Sequence, residues 1–169
     1  MVSKRRHGLL LFFPLCFPTR FVVCLAKVLP GKIGERVEEI CTDWFLRIFL
    51  WVFGLSFRLF ADLRKNIEDF EAIYVFKTPK GSVEESAIFK RDENGHPRMT
   101  RGDGKAKNPN VTIVFKNVKV FKLYLYSLAD QDILELILDN DVELDGNWNY
   151  VCKFLFMIRD LRFTVGLDQ

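Results

Sequence analysis

The side chains with catalytic potential are few and scattered. The two histidines, His7 and His96, have no metal-ligand spacing and no neighbouring cysteine that could serve as a nucleophile. The run Gly102-Asp103-Gly104-Lys105 has some likeness to a phosphate loop, but it lacks the P-loop spacing and a Ser or Thr after the lysine. A turn between strands accounts for this run. We therefore predict no catalytic residues, and we do not expect the chain to be an enzyme.

Acidic side chains in the C-terminal third are the remaining candidates for metal chemistry. Asp130, Asp132, Asp139 and Asp141 could supply the oxygen ligands that hard cations prefer. Helix caps, turns and a solvated helix face explain the same residues without a cation. We predict no metal and no cofactor.

The net charge of +3 conceals a strong segregation of charge along the chain. Residues 1–34 hold no acid, whereas residues 130–145 hold no base. A basic, Phe- and Leu-rich N-terminus is attracted to an anionic membrane, because each Lys or Arg near it contributes about 1 kcal/mol. The acidic segment would repel phosphates, so nucleic acid is not an expected partner. The predicted membrane contacts are Lys4, Arg5, Arg6, Phe12, Phe13, Phe17, Trp44, Phe49 and Trp51.

Cysteine usage and the N-terminal residues indicate the compartment. Cys16, Cys24, Cys41 and Cys152 form no close pair, and three of them lie in apolar segments, which is typical of reduced, buried thiols. The charged start and apolar run of residues 4–17 are similar to a secretory signal. Prolines interrupt the run, however, and no small-residue cleavage site follows it. We expect a cytoplasmic protein that associates peripherally with membranes.

The region from Glu35 to about Asn66 is predicted to be one long helix. Most of its circumference between Trp44 and Phe60 is apolar, which is too wide a face for packing on one small domain. Three interpretations remain open: a membrane span, a helix in the membrane plane, and a helix buried against the domain or a second subunit. A span needs about 20 predominantly apolar residues, and Arg47 and Arg58 interrupt the stretch, so a span is the least favoured.

The pattern then changes to strands and later to helices. Ala72–Thr78 and Glu85–Arg91 read as a hairpin, and Met99–Lys107 as a polar edge strand. Helical spacing follows over Asn117–Leu128 and Gln131–Leu138. A last helix is expected to bury Val151, Phe154, Leu155, Ile158 and Leu161.

Two short segments are the most specific features of the chain. Asn108-Pro109-Asn110 opens into a strand whose Val111, Ile113 and Phe115 share one face. Val142-Glu143-Leu144-Asp145-Gly146-Asn147-Trp148 reads as a short strand closed by a turn that starts a helix.

In their order and spacing these segments resemble the sterol carrier protein type two family, over roughly Ile67 to Arg162. The resemblance implies an α+β fold: a mixed or antiparallel sheet of about five strands, covered by helices, with an apolar tunnel and with N-terminal helices before it. Residues 1–62 would then be a basic, apolar helical extension, and residues 63–169 the lipid-binding domain. The layout of a basic start, a long helix and a domain also resembles that of bacterial accessory lipid carriers of ubiquinone biosynthesis.

The resemblance further implies non-catalytic lipid binding and transfer, with a fatty acyl, sterol-like, quinone-like or other isoprenoid lipid in the tunnel. Each of the candidate wall residues could equally be ordinary core, and periodicity does not separate a filled core from a cavity. The alternative function is a membrane-proximal scaffold with a collapsed cavity, associating with a partner or a second copy through the Trp44–Phe60 helix. In a third arrangement that helix plugs the tunnel. The candidate wall residues are Ile113, Phe115, Phe121, Leu125, Leu134, Leu138, Leu144, Trp148, Phe154 and Ile158.

Overall fold

The computed structural model describes residues 31–79, 81–121 and 133–166, and it confirms an α+β fold. Within these ranges, five strands form one mixed sheet and helices pack on it. The elements are α1 Gly31–Leu59, α2 Ala61–Lys65, β1 Ala72–Lys77, β2 Glu84–Arg91, β3 Pro97–Gly102, β4 Val111–Phe115, α3 Ile133–Leu138, β5 Val142–Gly146 and α4 Trp148–Val165. Residues 118–121 are helical as well.

The sheet has the strand order β3-β2-β1-β4-β5. The predicted hairpin is confirmed, because β1 and β2 pair antiparallel with Tyr74 opposite Ala87. The edge strand β3 is shorter than predicted and ends at Gly102. β4 lies parallel to β1 on its other side, and β5 closes that edge antiparallel to β4. β1 is therefore the central strand, as its nearly continuous burial requires.

The two specific sequence segments meet at Asn110. The Asn110 side-chain oxygen accepts a hydrogen bond from the Ile73 amide at 2.8 Å, and the Asn110 carbonyl accepts one from the Asn147 amide at 3.3 Å. Asn147 in turn caps α4, since its side chain accepts from the Asn149 amide at 2.9 Å. Gly146 has a φ of +123°, and a Cβ there would collide with the Asn110 carbonyl. One asparagine thus fixes the start of β4, the end of β5 and the start of α4.

The predicted single helix is divided in two at Phe60, where the backbone is extended. The break turns Leu63 and Ile67 into the core, where both are fully buried. Arg64 satisfies carbonyls left open at the end of α1, because its guanidinium donates to the Phe57 oxygen at 3.1 Å and to the Arg58 oxygen at 2.7 Å. The prediction of one helix through Asn66 is therefore wrong at this point.

α1 packs along β2 and β3 and buries one face against them. Gly54 permits the close approach, because a Cβ there would lie 2.9 Å from the Met99 carbonyl oxygen of β3. The division of the chain at residue 63 stays a prediction, with α1 supplying part of the common core. The inward residues of α1 are Leu46, Phe49, Leu50, Phe53 and Phe57.

By length and composition alone, one helix in the described ranges, Lys32–Leu59, is sufficient to cross a membrane. In this structure 44% of an apolar 18-residue stretch of this helix is buried. A core helix of a soluble protein meets the same criterion. The buried interpretation therefore accounts for the inner face of α1, while Trp44 and Trp51 on its outer face are exposed.

Gly146→Ala is expected to lower the free energy of unfolding by about 3 kcal/mol or more, because backbone strain at positive φ adds to a clash with Asn110. The matched control is Gly166→Ala, where φ is also positive but nothing lies within 4 Å of the added Cβ. That variant should lose only about 1–2 kcal/mol. Urea unfolding followed by circular dichroism measures both, and equal losses would contradict the proposed role of Asn110.

Candidate functional site

The interior between the sheet and the helices is apolar and largely aromatic. One face of the sheet, here called the core face, carries Tyr74 and Phe76 of β1 and Phe89 of β2, because alternate residues of a strand share a side. Phe154 of α4 packs on this face, with ring centroids 4.9 Å from Tyr74 and 5.3 Å from Phe76. Phe53 of α1 lies 5.6 Å from Phe154 in an edge-to-face arrangement.

The phenol of Tyr74 is a polar group inside this interior. Its hydroxyl donates to the Tyr150 carbonyl at 2.8 Å, and burial raises the pKa of Tyr74 well above its ordinary value. The hydroxyl therefore stays protonated at neutral pH and is already paired. It offers neither a base nor a nucleophile for chemistry.

Five of the ten predicted wall residues come together in the core: Ile113, Phe115, Phe121, Phe154 and Ile158 are all buried. Leu144 is half-buried and packs against the same cluster. Trp148 is 38% exposed, at the start of α4, and Leu138 is 79% exposed, because α3 turns Leu136 inward instead. Leu125 lies outside the described residues, as does the side chain of Leu134.

The prediction omitted the residues that α1, β1 and β2 supply to the same interior. Phe53 and Phe57 reach it from α1, and their spacing of four with Phe49 was the available signal. Tyr74 and Phe76 reach it from β1, where the alternation of two was visible. Phe89 of β2 contacts both groups, at 5.6 Å from Tyr74 and 5.9 Å from Phe57.

A pocket of about 350 Å³ opens at the edge of the sheet where the parallel strands β1 and β4 both end. Its lining includes carboxylates from the first turns of α1 and lysines that follow β4. Val118 lines the pocket and also belongs to the core, so the pocket reaches the apolar interior there. The lining residues are Glu35, Glu38, Glu39, Thr78, Pro79, Ser82, Lys116, Asn117, Val118 and Lys119.

A cluster of ionisable side chains links α1 to β2 and β3. Arg47 of α1 contacts Asp43 at 2.9 Å and Glu85 of β2 at 2.7 Å, and Arg101 of β3 lies 3.6 Å from the same Glu85 oxygen. Glu85 is only 1% exposed, and its second oxygen has no hydrogen-bond partner among the described residues. Burial raises the pKa of Glu85, and the two arginines oppose that shift in part. The pKa of Asp43 is raised for the same reason.

The predicted membrane contacts divide between surface and interior. Trp44 and Trp51 are 61% and 64% exposed on α1, and their contact with a membrane stays a prediction. Phe49 instead points into the core and stacks on Phe53 at 5.9 Å, because it lies on the opposite side of the helix. Lys4, Arg5, Arg6, Phe12, Phe13 and Phe17 lie outside the described residues.

The described ranges contain no group of three or more His, Cys, Asp or Glu side chains that could hold a metal ion. Cys41 and Cys152 form no disulfide, and Cys16 and Cys24 lie outside these ranges. The acidic residues Asp139 and Asp141 belong to the turn between α3 and β5, where Asp141 pairs with Lys116 at 2.9 Å. Asp130 and Asp132 are not among the described residues.

Comparison with solved structures identifies the class of fold. The UbiJ-SCP2 ubiquinone synthesis protein superposes with a TM-score of 0.51 at 13% identity, covering 67% of this chain and 91% of that one. The sterol carrier protein 2 of Yarrowia lipolytica gives 0.44 at 16%, covering 68% and 88%. The sterol carrier protein domain 2 of Helicoverpa armigera gives 0.42 at 18%, covering 70% and 86%.

The chain therefore has the sterol carrier protein type two fold, and the resemblance found in the sequence is confirmed at the level of the fold. No family model and no curated protein matches the sequence. An apolar tunnel stays a prediction.

Glu85→Gln is expected to flatten the dependence of stability on pH. The folded state holds the Glu85 proton more tightly than the unfolded state does, so stability falls as the pH rises from the ordinary glutamate value through the raised one. Urea unfolding at a series of pH values from acidic to neutral measures this slope. A loss of stability that is the same at every pH would shift the whole curve of unfolding free energy against pH and leave its slope unaffected.

Glu84→Gln is the control for this prediction, because the neighbouring side chain faces the other side of the sheet. It should keep the wild-type slope. Some slope should also remain in Glu85→Gln, since Asp43 contributes with the same sign. If the slope of Glu85→Gln matches that of the wild type, Glu85 is not a source of the pH dependence.

Proposed function

We propose that this chain is a non-catalytic lipid-binding and transfer protein, cytoplasmic and peripherally associated with membranes. The proposed ligand is a fatty acyl, sterol-like or quinone-like lipid held between the sheet and the helices. One observation carries the proposal: on a sterol-carrier-like fold, side chains of β1, β4, α1 and α4 converge on one aromatic interior. No catalytic step is proposed.

The chemistry of the interior suits an apolar chain. Tyr74 is already paired with Tyr150, so recognition would rest on burial of hydrocarbon. Each buried methylene contributes about 0.8 kcal/mol, which makes a medium-length chain sufficient for micromolar affinity. Rings that meet edge to face at 4.9–5.9 Å would have to separate to admit such a chain.

The pocket at the ends of β1 and β4 is the proposed opening. Val118 belongs both to its lining and to the core, while Lys116 and Lys119 line it together with the glutamates of α1. A lipid could leave its polar end among these charges and place its tail past Val118. This arrangement avoids burial of a polar head, which costs several kcal/mol without partners.

The neighbour UbiJ-SCP2 supports one ligand class over the others. Its description as a ubiquinone synthesis protein favours a quinone-like lipid, including isoprenoid precursors of quinones. The layout of the sequence, with a long helix before the domain, supports the same choice. Fatty acyl and sterol-like lipids remain the ligands against which it should be compared.

A scaffold function is the second candidate. The exposed indoles of Trp44 and Trp51 favour it, because they would be buried if the Trp44–Phe60 helix met a partner or a second copy. Native mass spectrometry of the full chain purified from cells under mild conditions distinguishes the two functions. A stoichiometric lipid supports the carrier. An empty protein that also takes up no fatty acid, sterol or quinone probe supports the scaffold.

Leu144→Arg is expected to reduce retention of a fluorescent fatty acid by about tenfold or more, because a charge would face the apolar interior. Leu144 lies opposite Ile113 in the sheet and packs on the core. Glu143→Arg is the matched control, since Glu143 is exposed on the other side of β5. Far-ultraviolet circular dichroism checks that both variants fold. Unchanged uptake by Leu144→Arg would remove this wall from the proposed site.

A further inference from the structure

The outer face of α1 is an exposed apolar stripe. Its residues recur at spacings of three, four, seven and eight, so they lie in line on the side of the helix opposite Leu50 and Phe53. The stripe is roughly 40 Å long at about 1.5 Å per residue. We call Ile33, Ile40, Trp44, Ile48, Trp51 and Leu59 the α1 stripe, and all six are exposed.

α4 carries a second exposed apolar stripe. Phe156 and Phe163 are exposed and lie on the side of the helix opposite the buried Phe154, Ile158 and Leu161. We call Phe156 and Phe163 the α4 stripe. Lys153 and Arg159 lie 5.7 and 5.8 Å from the Phe156 ring, so cations already surround it.

The tertiary structure brings the two stripes to the same side of the molecule. Phe53 of α1 and Phe154 of α4 contact each other and both reach the core face, Phe53 through Phe89 and Phe154 through Tyr74. The two helices therefore form one layer on the sheet. On each helix, the face opposite these contacts points away from the sheet. The α1 and α4 stripes lie on these outer faces and therefore share one surface.

Arginines border this surface. Arg36 and Arg58 are exposed beside the α1 stripe, and neither forms an ion pair with another described residue. Arg159 is exposed beside the α4 stripe.

The acids of the two helices line the pocket or are paired with other side chains. Glu35, Glu38 and Glu39 line the pocket, and Asp43 contacts Arg47. Asp160 lies on α4 between Phe156 and Phe163, and its carboxylate accepts a hydrogen bond from Asn66 at 2.6 Å. Among the described residues, the exposed charges beside the two stripes that have no ion pair are therefore arginines.

We propose that the α1 and α4 stripes together dock the protein on an anionic lipid bilayer, with both helices in the membrane plane and the sheet turned away. Indole and phenyl rings insert at the level of the head groups, and the arginines contact lipid phosphates. The basic edges favour an anionic surface over a second copy of the chain, whose own arginines they would repel. Residues 1–30, which lead into the α1 stripe, add further bases and no acid.

This docking surface rests on the proposed carrier function, because it is the surface at which the carrier would exchange lipid with the bilayer. It does not require the interior to be occupied. The two proposals can therefore fail separately, provided that vesicle binding and lipid retention are measured on the same variants.

The test is co-sedimentation of the full chain with vesicles of phosphatidylcholine alone and of equal parts phosphatidylcholine and phosphatidylglycerol. Binding to the anionic vesicles is expected to be stronger. Trp44→Ser/Trp51→Ser and Phe156→Ser/Phe163→Ser should each weaken it by about tenfold or more, through loss of two inserted rings. The Phe156→Ser/Phe163→Ser variant is decisive. Its substituted residues are far along the chain from the basic residues 1–30, so it leaves those bases unchanged.

The charge test uses a matched pair of double variants. Arg58→Gln/Arg159→Gln should weaken binding about twenty-five-fold, because each base near an anionic surface contributes a factor of about five. Lys90→Gln/Arg98→Gln removes the same charge from exposed positions paired with each other on the opposite side of the sheet. This control should change binding by no more than a factor of two.

Three results would overturn the docking surface. Wild-type binding by Phe156→Ser/Phe163→Ser would exclude α4, and equal effects of the two charge variants would exclude this face. A dimer in sedimentation equilibrium that Trp44→Ser/Trp51→Ser dissociates, without change in vesicle binding, would identify the surface as an interface between copies. Lipid retained by variants that no longer bind vesicles would leave the carrier proposal standing.

Discussion

The contact between Phe53 of α1 and Phe154 of α4 is the interaction on which the remaining structure depends. It joins helices from opposite ends of the described chain above the central strand β1, with Tyr74 beneath them. The contact encloses the apolar interior on one side. On the other side it aligns the exposed faces of both helices. The proposed ligand site and the proposed membrane surface are thus the two sides of one helix layer.

α1 shows how one helix can serve both sides. A helix that is apolar around most of its circumference is normally buried completely or surrounded by lipid. Here the polar cluster of Asp43, Arg47 and Glu85 separates the two apolar faces at the edge of β2. Burial of Glu85 opposes its ionisation, and the arginines restore part of that loss. The cluster therefore sets the rotation of α1 on the sheet, with Phe53 inward and Trp51 outward.

Carrier function on this fold places opposing demands on the core. Rings packed edge to face favour a closed interior, whereas a ligand requires them to separate. Among the described residues, the pocket beside Val118 is where polar rim and apolar core adjoin. Gly54 and Met99, at the other end of the interior, instead hold α1 and β3 in close contact. Opening near Val118 would thus disturb fewer close backbone contacts than opening near Met99.

Much of the fold followed from local sequence. The alternation of Val111, Ile113 and Phe115, and the turn at Gly146-Asn147, correctly predicted β4, β5 and the start of α4. The hairpin of β1 and β2 was equally visible. Five of the predicted wall residues are buried, because strand and helix periods show which side chains point inward, and their role as a tunnel wall stays a prediction.

Tertiary structure decided the rest. Periodicity marks an inward face but does not say what lies opposite, so Leu138 and Trp148 matched the apolar pattern and are nevertheless exposed. The break at Phe60 depends on where Leu63 and Ile67 find the core, and Arg64 supports it from across the turn. The shared surface of α1 and α4 depends on contacts between residues about a hundred positions apart, as Phe53 and Phe154 are. Local sequence determines which residues are apolar and at what period they recur, whereas only packing over such distances determines which apolar faces meet and which remain exposed.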